Sequence, residues 1–255
     1  MQCGSAVVQK LEFLAGDSSR LIKRVTVLES MSPETTAVCL FEPLSLSRCR
    51  VGRPLADKYC DLDCNAGVHV WSTDLIGGHI GMLIDNSNGA GSNREIFITH
   101  ATMDSNWRGL AVADDAYVSI VGCWTASSDQ DNIWVSPEST GAQLVISGGT
   151  IFNAGAGGGD PSKDMCNGAT FNAGTFQITG TDIRNNNGRG VWVPNDTVQN
   201  YAISGCRIAS NGQGLELAGS AYAVTSNVFS GNANQSNFGT QSDGAIVTSN
   251  VNPNS

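Results

Sequence analysis

The fold is decided by two consecutive stretches, Ile178-Thr-Gly-Thr-Asp-Ile183 with Asn185-Asn-Asn-Gly-Arg-Gly-Val-Trp-Val193, and Ile203-Ser-Gly-Cys-Arg-Ile208 with Asn211-Gly-Gln-Gly-Leu-Glu-Leu217. The second stretch repeats the first with the same alternation of apolar and other residues. Alternation with a period of two indicates β-strands, and Gly and Asn tolerate the left-handed backbone of tight corners. The stretches therefore predict short strands joined by corners.

The same pattern extends along most of the chain at a mean period of about 25 residues, which is the period of stacked repeats. Its copies begin with Gly or Asn followed by apolar, any and apolar residues. Short strands at this period predict a solenoid in which each coil stacks on the one before. The copies start at Gly67, Gly81, Gly109, Asn132, Gly168, Gly190, Gly214 and Gly244.

These motifs resemble the right-handed parallel β-helix family of pectate lyases, polygalacturonases and phage tailspikes, over roughly residues 67–250. The resemblance implies an all-β, right-handed, single-stranded parallel β-helix of about eight to nine coils. We expect an N-terminal cap at residues 1–20 and the β-helix at 21–255, with irregular coils over 21–66 and regular coils over 67–250. The family also implies a habit of binding polysaccharide.

Composition and charge exclude several classes. The 255 residues are 40% hydrophobic and 15% charged, and the net charge is -9. A coiled coil is excluded by this composition, and no apolar run is long enough for a membrane span. Nucleic-acid binding is disfavoured because few basic residues follow Arg108. A neutral glycan, a cationic partner or another protein fits better.

The eight cysteines predict no cofactor and no metal site. Cys60 and Cys64 do not have CxxC spacing, and no second pair completes a zinc site, although a local disulfide between them stays open. Cys123 and Cys206 occupy equivalent inward positions three coils apart, about 14 Å at the usual spacing between strands. That separation predicts two buried thiols rather than a disulfide.

Outward-facing columns are the predicted functional surfaces. Trp134 and Trp192 lie two coils apart, and their indoles suit either the apolar faces of sugar rings or packing under a neighbouring subunit or loop. We predict Trp134, Trp192, Trp124 and Trp107 as carbohydrate-binding residues. The column of Trp134 and Trp192 is expected to read His69, Leu83, Ala111, Trp134, Thr170, Trp192, Glu216 and Ile246.

A second outward column carries Trp124, Asp182 and Arg207, and an ion pair between Asp182 and Arg207 is expected. Its full order is Thr102, Trp124, Thr150, Asp182, Arg207 and Val228. Glycoside hydrolysis needs two carboxyl groups about 5 to 9.5 Å apart. The catalytic candidates are Glu216, Asp182 and Asp104, although no pair is singled out and the catalytic motif of polygalacturonases is absent. His100 and Asp104, near Trp107 and Arg108, form the densest polar cluster.

The function predicted from these features is that of a phage tailspike-like protein that recognises a bacterial surface polysaccharide. If the protein is an enzyme, we expect a polysaccharide hydrolase or lyase. The segment Met1–Gly16 is not a convincing secretory signal. We therefore expect synthesis in the host cytoplasm, a place in the virion, and a homotrimer or other virion proteins as partners, without nucleic acid or membrane insertion. The alternatives are a structural or decoration protein that binds only protein, and a secreted polysaccharide-cleaving enzyme.

Overall fold

The computed structural model describes residues 60–61, 68–85, 95–159, 165–234, 236–238 and 244–252. These residues form 22 strands in three sheets of seven, eight and seven strands. Sheet A contains β1 (Cys60–Asp61), β4 (Ile80–Ile84), β7 (Arg108–Val112), β10 (Ile133–Val135), β13 (Ala169–Phe171), β16 (Arg189–Val193) and β19 (Gln213–Leu217).

Sheets B and C complete each coil. Sheet B contains β2 (Val68–Trp71), β5 (Glu95–Thr99), β8 (Tyr117–Val121), β11 (Gln143–Ser147), β14 (Thr175–Thr179), β17 (Ala202–Ser204), β20 (Ala223–Thr225) and β22 (Ile246–Thr248). Sheet C contains β3 (Asp74–Ile76), β6 (Thr102–Asp104), β9 (Trp124–Ala126), β12 (Thr150–Phe152), β15 (Asp182–Arg184), β18 (Arg207–Ala209) and β21 (Val228–Ser230).

The chain visits the three sheets in turn, and each strand pairs in parallel with its equivalent in the neighbouring coils. The predicted right-handed parallel β-helix is confirmed, with slightly fewer coils in the described part than the eight to nine predicted. The predicted cap and nearly all of the irregular coils lie outside the described residues. No helix among the described residues has the length and apolar character of a membrane span.

The core is one continuous cluster of inward side chains from Val70 to Phe229. Four of its rings form one stack: Phe171 on Phe176 of the same coil at 3.7 Å, then Phe176 on Tyr201 at 4.7 Å and Tyr201 on Tyr222 at 5.0 Å between centroids of successive coils. Both tyrosine hydroxyls donate hydrogen bonds to backbone carbonyls, those of Ala218 and Phe238. The stack can therefore be buried without leaving a polar group unsatisfied.

The recurring glycine of sheet A is explained by the close approach of the next coil. A Cβ at Gly109 would lie 2.5 Å from the carbonyl oxygen of Asn132, and one at Gly190 would lie 2.6 Å from that of Gly214. These two glycines do not have a positive φ, so the expectation of left-handed corners does not apply to them. It does hold at the corners between sheets B and C, for example at Gly180.

A ladder of asparagine side chains runs along the corner between sheets C and A, as expected for stacked corners. Asn186 donates to the side-chain oxygen of Asn211, and Asn211 donates to that of Asn232. Where Ala154 interrupts the column, Asn132 reaches in from the start of β10 and donates to Asn186 and to the carbonyl of Phe152. The ladder satisfies corner backbone groups that cannot join a sheet.

The registers confirm most of the predicted outward columns and correct one. One column of sheet A contains Leu83, Ala111, Trp134, Thr170, Trp192 and Glu216, although Ala111 and Thr170 are each only 1% exposed. The assignment of His69 and Ile246 to this column is wrong, because both lie in sheet B. Both residues also follow a Gly-apolar pair in the sequence, so the motif alone does not separate the two sheets.

Candidate functional site

The predicted site residues lie on two outward surfaces that flank the corner between sheets C and A. The sheet C surface consists of Asp104, Trp124, Phe152, Asp182, Arg184 and Arg207. The sheet A surface consists of His79, Trp107, Arg108, Trp134, Arg189, Trp192 and Glu216. The four basic residues of the described part all lie on these surfaces, in a chain of net charge -9.

Trp124 is the exposed aromatic centre of the sheet C surface. Its side chain is 37% exposed, and its indole Nε1 donates a hydrogen bond to Asp104 Oδ2 at 3.0 Å. Phe152, one coil further on, supports the indole at 5.6 Å between centroids. The hydrogen bond and the ring contact fix the orientation of a large, partly apolar surface beside a carboxylate.

Asp182 is held by two arginines on the same surface. Arg184 Nε lies 2.8 Å from Asp182 Oδ2, and Arg207 Nη1 lies 3.0 Å from Asp182 Oδ1. The predicted pair between Asp182 and Arg207 is therefore confirmed. Arg184 also lies over the ring of Phe152 at 4.4 Å, which links this ion-pair network to the aromatic centre.

Arg108 forms the centre of the first half of the sheet A surface. Its guanidinium carbon lies over the Trp107 ring at 4.6 Å and over the Trp134 ring at 4.3 Å from the centroids. His79 stacks on Trp107 with 4.4 Å between centroids. Burial lowers the pKa of Arg108, and the nearby Asp131 carboxylate raises it by a smaller amount. The cation is thus packed against two indole rings.

The second half of the sheet A surface also centres on an arginine, but this arginine has one indole and a carboxylate beside it. Arg189 lies over the Trp192 ring at 4.5 Å, as Arg108 does over its indoles. In addition, Arg189 Nε forms an ion pair with Glu216 Oε2 at 2.6 Å. The predicted catalytic carboxylate of Glu216 therefore has a cation as its nearest partner.

The three predicted catalytic carboxylates are not brought together. Asp104 and Asp182 lie three coils apart on sheet C, about 14 Å at 4.8 Å per coil, and Glu216 lies on sheet A. The separation of Asp104 and Asp182 exceeds what a pair of glycosidase carboxyl groups spans, and Glu216 shares no sheet with either of them. The predicted polar cluster also divides, since His100 lies at the corner before β6 while Trp107 and Arg108 follow the corner after it.

The structure adds residues that sequence reasoning missed. Phe152, Arg184 and Arg189 complete the two surfaces, and each stands at the end or beginning of a strand next to a corner. No motif in the sequence singles out these three positions. The signal that could have found them is the register, because each arginine lies within one coil of a predicted aromatic or acidic residue.

The thiols and imidazoles of the described part do not form a metal centre. No group of three or more His, Cys, Asp or Glu side chains lies close enough there to hold a metal ion. Cys123 and Cys206 are buried, as predicted, and their thiols contact backbone carbonyls. Cys64, half of the possible local disulfide, lies outside the described residues.

Comparison with protein families relates most of the chain to a known family. The family model NosD, described as periplasmic copper-binding protein, matches residues 49–250. No curated protein and no solved structure matches the chain.

Proposed function

The chain belongs to the NosD family, described as periplasmic copper-binding proteins, and from this premise we propose that its β-helix binds a polysaccharide of the bacterial envelope on the sheet C surface. The observation that carries the proposal is the exposed Trp124 indole, fixed by Asp104 and Phe152. A flat indole beside hydrogen-bonding groups is suited to the apolar face and the hydroxyl groups of a sugar ring.

The family corrects the predicted location. A place in the virion is wrong, because the matched family is periplasmic, which points to a bacterial periplasmic or extracellular protein rather than a virion component. Bacterial envelope glycans are present in that location. The proposal therefore keeps a bacterial polysaccharide as the ligand but not the predicted place in a phage.

Binding is favoured over cleavage by the placement of the acidic groups. The oxygens of Asp182 are engaged by two arginines, and that of Glu216 by Arg189. Asp104 has its own partners, the indole of Trp124 and the hydroxyl of Ser105. These contacts suit a rigid binding surface better than a pair of carboxyl groups that exchanges protons with a substrate.

Copper, which the family description implies, does not fit the residues that the structure describes. Copper sites are built from clustered imidazole and sulfur ligands. In the described ranges the His69 and His79 rings are stacked on Phe97 and Trp107, and no cluster of three ligand side chains exists. The proposed binding of polysaccharide is therefore argued from the aromatic and polar side chains of the described residues.

The test compares two exposed tryptophans on different sheets. Trp124→Ala is expected to weaken binding to an envelope polysaccharide about tenfold, since an aromatic platform of this kind is worth about 1 kcal/mol or more. Trp71→Ala is the matched control, because Trp71 is 68% exposed but lies on sheet B. Affinity would be measured by calorimetry across a panel of purified polysaccharides.

Equal losses in the two variants, or no binding by the unmodified chain across the panel, would refute the proposal. Reducing ends and the absorbance of unsaturated uronates would be followed in the same incubations. New ends or new absorbance would refute the assignment of a purely binding function.

A further inference from the structure

The buried polar atoms that lack a hydrogen-bond partner are concentrated at one place. In the described part they are Arg108 Nε, Ser128 Oγ and Gln130 Oε1, which belong to two neighbouring coils. The backbone N–H of Gln130 donates to the carbonyl of Trp107, so its turn lies directly on the turn that precedes Arg108. Buried polar groups without partners are rare in folded proteins and mark sites of bound water, ions or ligands.

A second arginine of the same sheet, Arg189, shows what an arginine in this kind of position binds. Arg108 and Arg189 both stand at the first position of their sheet A strands and lie over indole rings. The fourth residue of each arginine's strand pairs with a residue of the next coil. This residue is Trp134 in the case of Arg108 and Glu216 in the case of Arg189. Glu216 supplies a carboxylate to Arg189 Nε at 2.6 Å, whereas Trp134 supplies only its ring.

Asp131, the nearest acidic residue in register with Arg108, is committed elsewhere. Its side chain is 2% exposed, and Oδ1 accepts the backbone N–H of Asn167 at 2.8 Å. Burial of Asp131 raises its pKa to about 6, so its negative charge is reduced only below that pH. Arg108 is therefore a half-buried cation without a bonded counter-ion on an otherwise acidic protein.

We propose that Arg108, packed against Trp107 and Trp134, is a recognition site for a carboxylate group of an acidic sugar. Aromatic contacts hold the guanidinium plane in place, and its planar fork of N–H donors matches a carboxylate in a bidentate manner. The adjacent indoles offer apolar surface to the sugar ring that carries the carboxylate. This inference rests on the proposed function in one respect, that the ligand is a saccharide.

The first test observes Arg108 directly in the full chain. The Nε–H resonance of Arg108, assigned by comparison with Arg108→Lys, is expected to shift on titration with glucuronate and not with glucose. The Arg189 resonance serves as the internal control, because Glu216 already occupies its Nε, and it is expected to stay in place. No shift of Arg108 at saturating glucuronate, or a larger shift with glucose 6-phosphate, would overturn the carboxylate site.

The second test separates this inference from the proposed function. Binding of an oligoglucuronate is compared with that of the same oligosaccharide after reduction of its carboxylates to alcohols. The unmodified chain is expected to prefer the acidic form about tenfold, Arg108→Gln to lose the preference, and Arg108→Lys to lose most of it, because a point charge replaces the fork. The charge-neutral double variant Arg189→Gln with Glu216→Gln controls for the neighbouring arginine and is expected to keep the preference.

The outcomes of this comparison distinguish failure of the Arg108 site from failure of the proposed function. Equal binding of the two forms by the unmodified chain would overturn the Arg108 site and leave the proposed function standing. A shift of the Arg108 resonance by glucuronate with no effect of Trp124→Ala on either oligosaccharide would support the Arg108 site and refute the sheet C surface as the place of binding. Persistence of the acidic preference in Arg108→Gln would overturn the inference.

Discussion

The buried carboxyl group of Asp131 shows how a single residue can make the stability of this protein depend on pH. Burial raises its pKa from 3.8 to about 6, against smaller opposing effects of its hydrogen bonds and of Arg108. The folded state therefore holds the proton more tightly than the unfolded chain. The resulting stabilisation is complete below pH 3.8 and is lost as the pH rises through about 6.

We predict that Asp131→Asn removes this dependence. Asn keeps an oxygen that can accept the backbone N–H of Asn167, so the local geometry is preserved. The free energy of unfolding of the variant, relative to the unmodified chain, is expected to rise by about 2 kcal/mol between pH 4 and pH 7. Urea unfolding at the two pH values measures the difference, and a relative stability that does not change with pH would contradict the assignment.

At the scale of the strand and its coil, the glycine of sheet A decides how closely coils stack. The distance of 2.6 Å between a Cβ built at Gly190 and the carbonyl oxygen of Gly214 is too short for any real contact. Both partners belong to backbone that parallel pairing fixes, so neither can move away cheaply. The repeat of glycine along the sequence thus records stacking distance rather than corner conformation.

We predict that Gly190→Ala destabilises the protein by about 3 kcal/mol, since the clash must be relieved by shifting a coil. Gly180→Ala is the control from a corner between sheets B and C. Nothing lies within 4 Å of a Cβ at Gly180, but its φ is +62°, so a cost of about 1 kcal/mol for the left-handed backbone is expected. Chemical denaturation compares the two, and a larger cost at Gly180 would show that stacking distance is not the constraint.

At the scale of the whole molecule, the fold could be predicted because alternation reports directly which residues face the core. The outward column of Trp124 followed from the same arithmetic and is confirmed by the registers, and the column of Trp134 is confirmed from Leu83 to Glu216. The site could be predicted only in part. Which outward neighbours touch depends on side-chain direction, so the contact of Arg108 with two indoles and the lack of a partner at its Nε were not visible in the sequence.

The continuous core makes a prediction about how the coils unfold. Repeat proteins unfold together when neighbouring repeats are strongly coupled, and in parts when they are not. Here one cluster of buried residues links the coils from Val70 to Phe229. Three cysteines lie in different coils, within that cluster or at its corners. The exposed fraction is 4% for Cys123, 0% for Cys166 and 1% for Cys206.

We therefore expect Cys123, Cys166 and Cys206 to resist alkylation in the native protein and to become reactive at one common urea concentration. Burial also raises the pKa of the Cys123 and Cys206 thiols, which lowers the thiolate fraction that reacts. Pulse labelling with peptide-level mass spectrometry measures each site separately, with full labelling in concentrated guanidinium as the reference. Distinct midpoints for the three cysteines would mean that the coils are weakly coupled. Parts of the continuous core would then unfold separately.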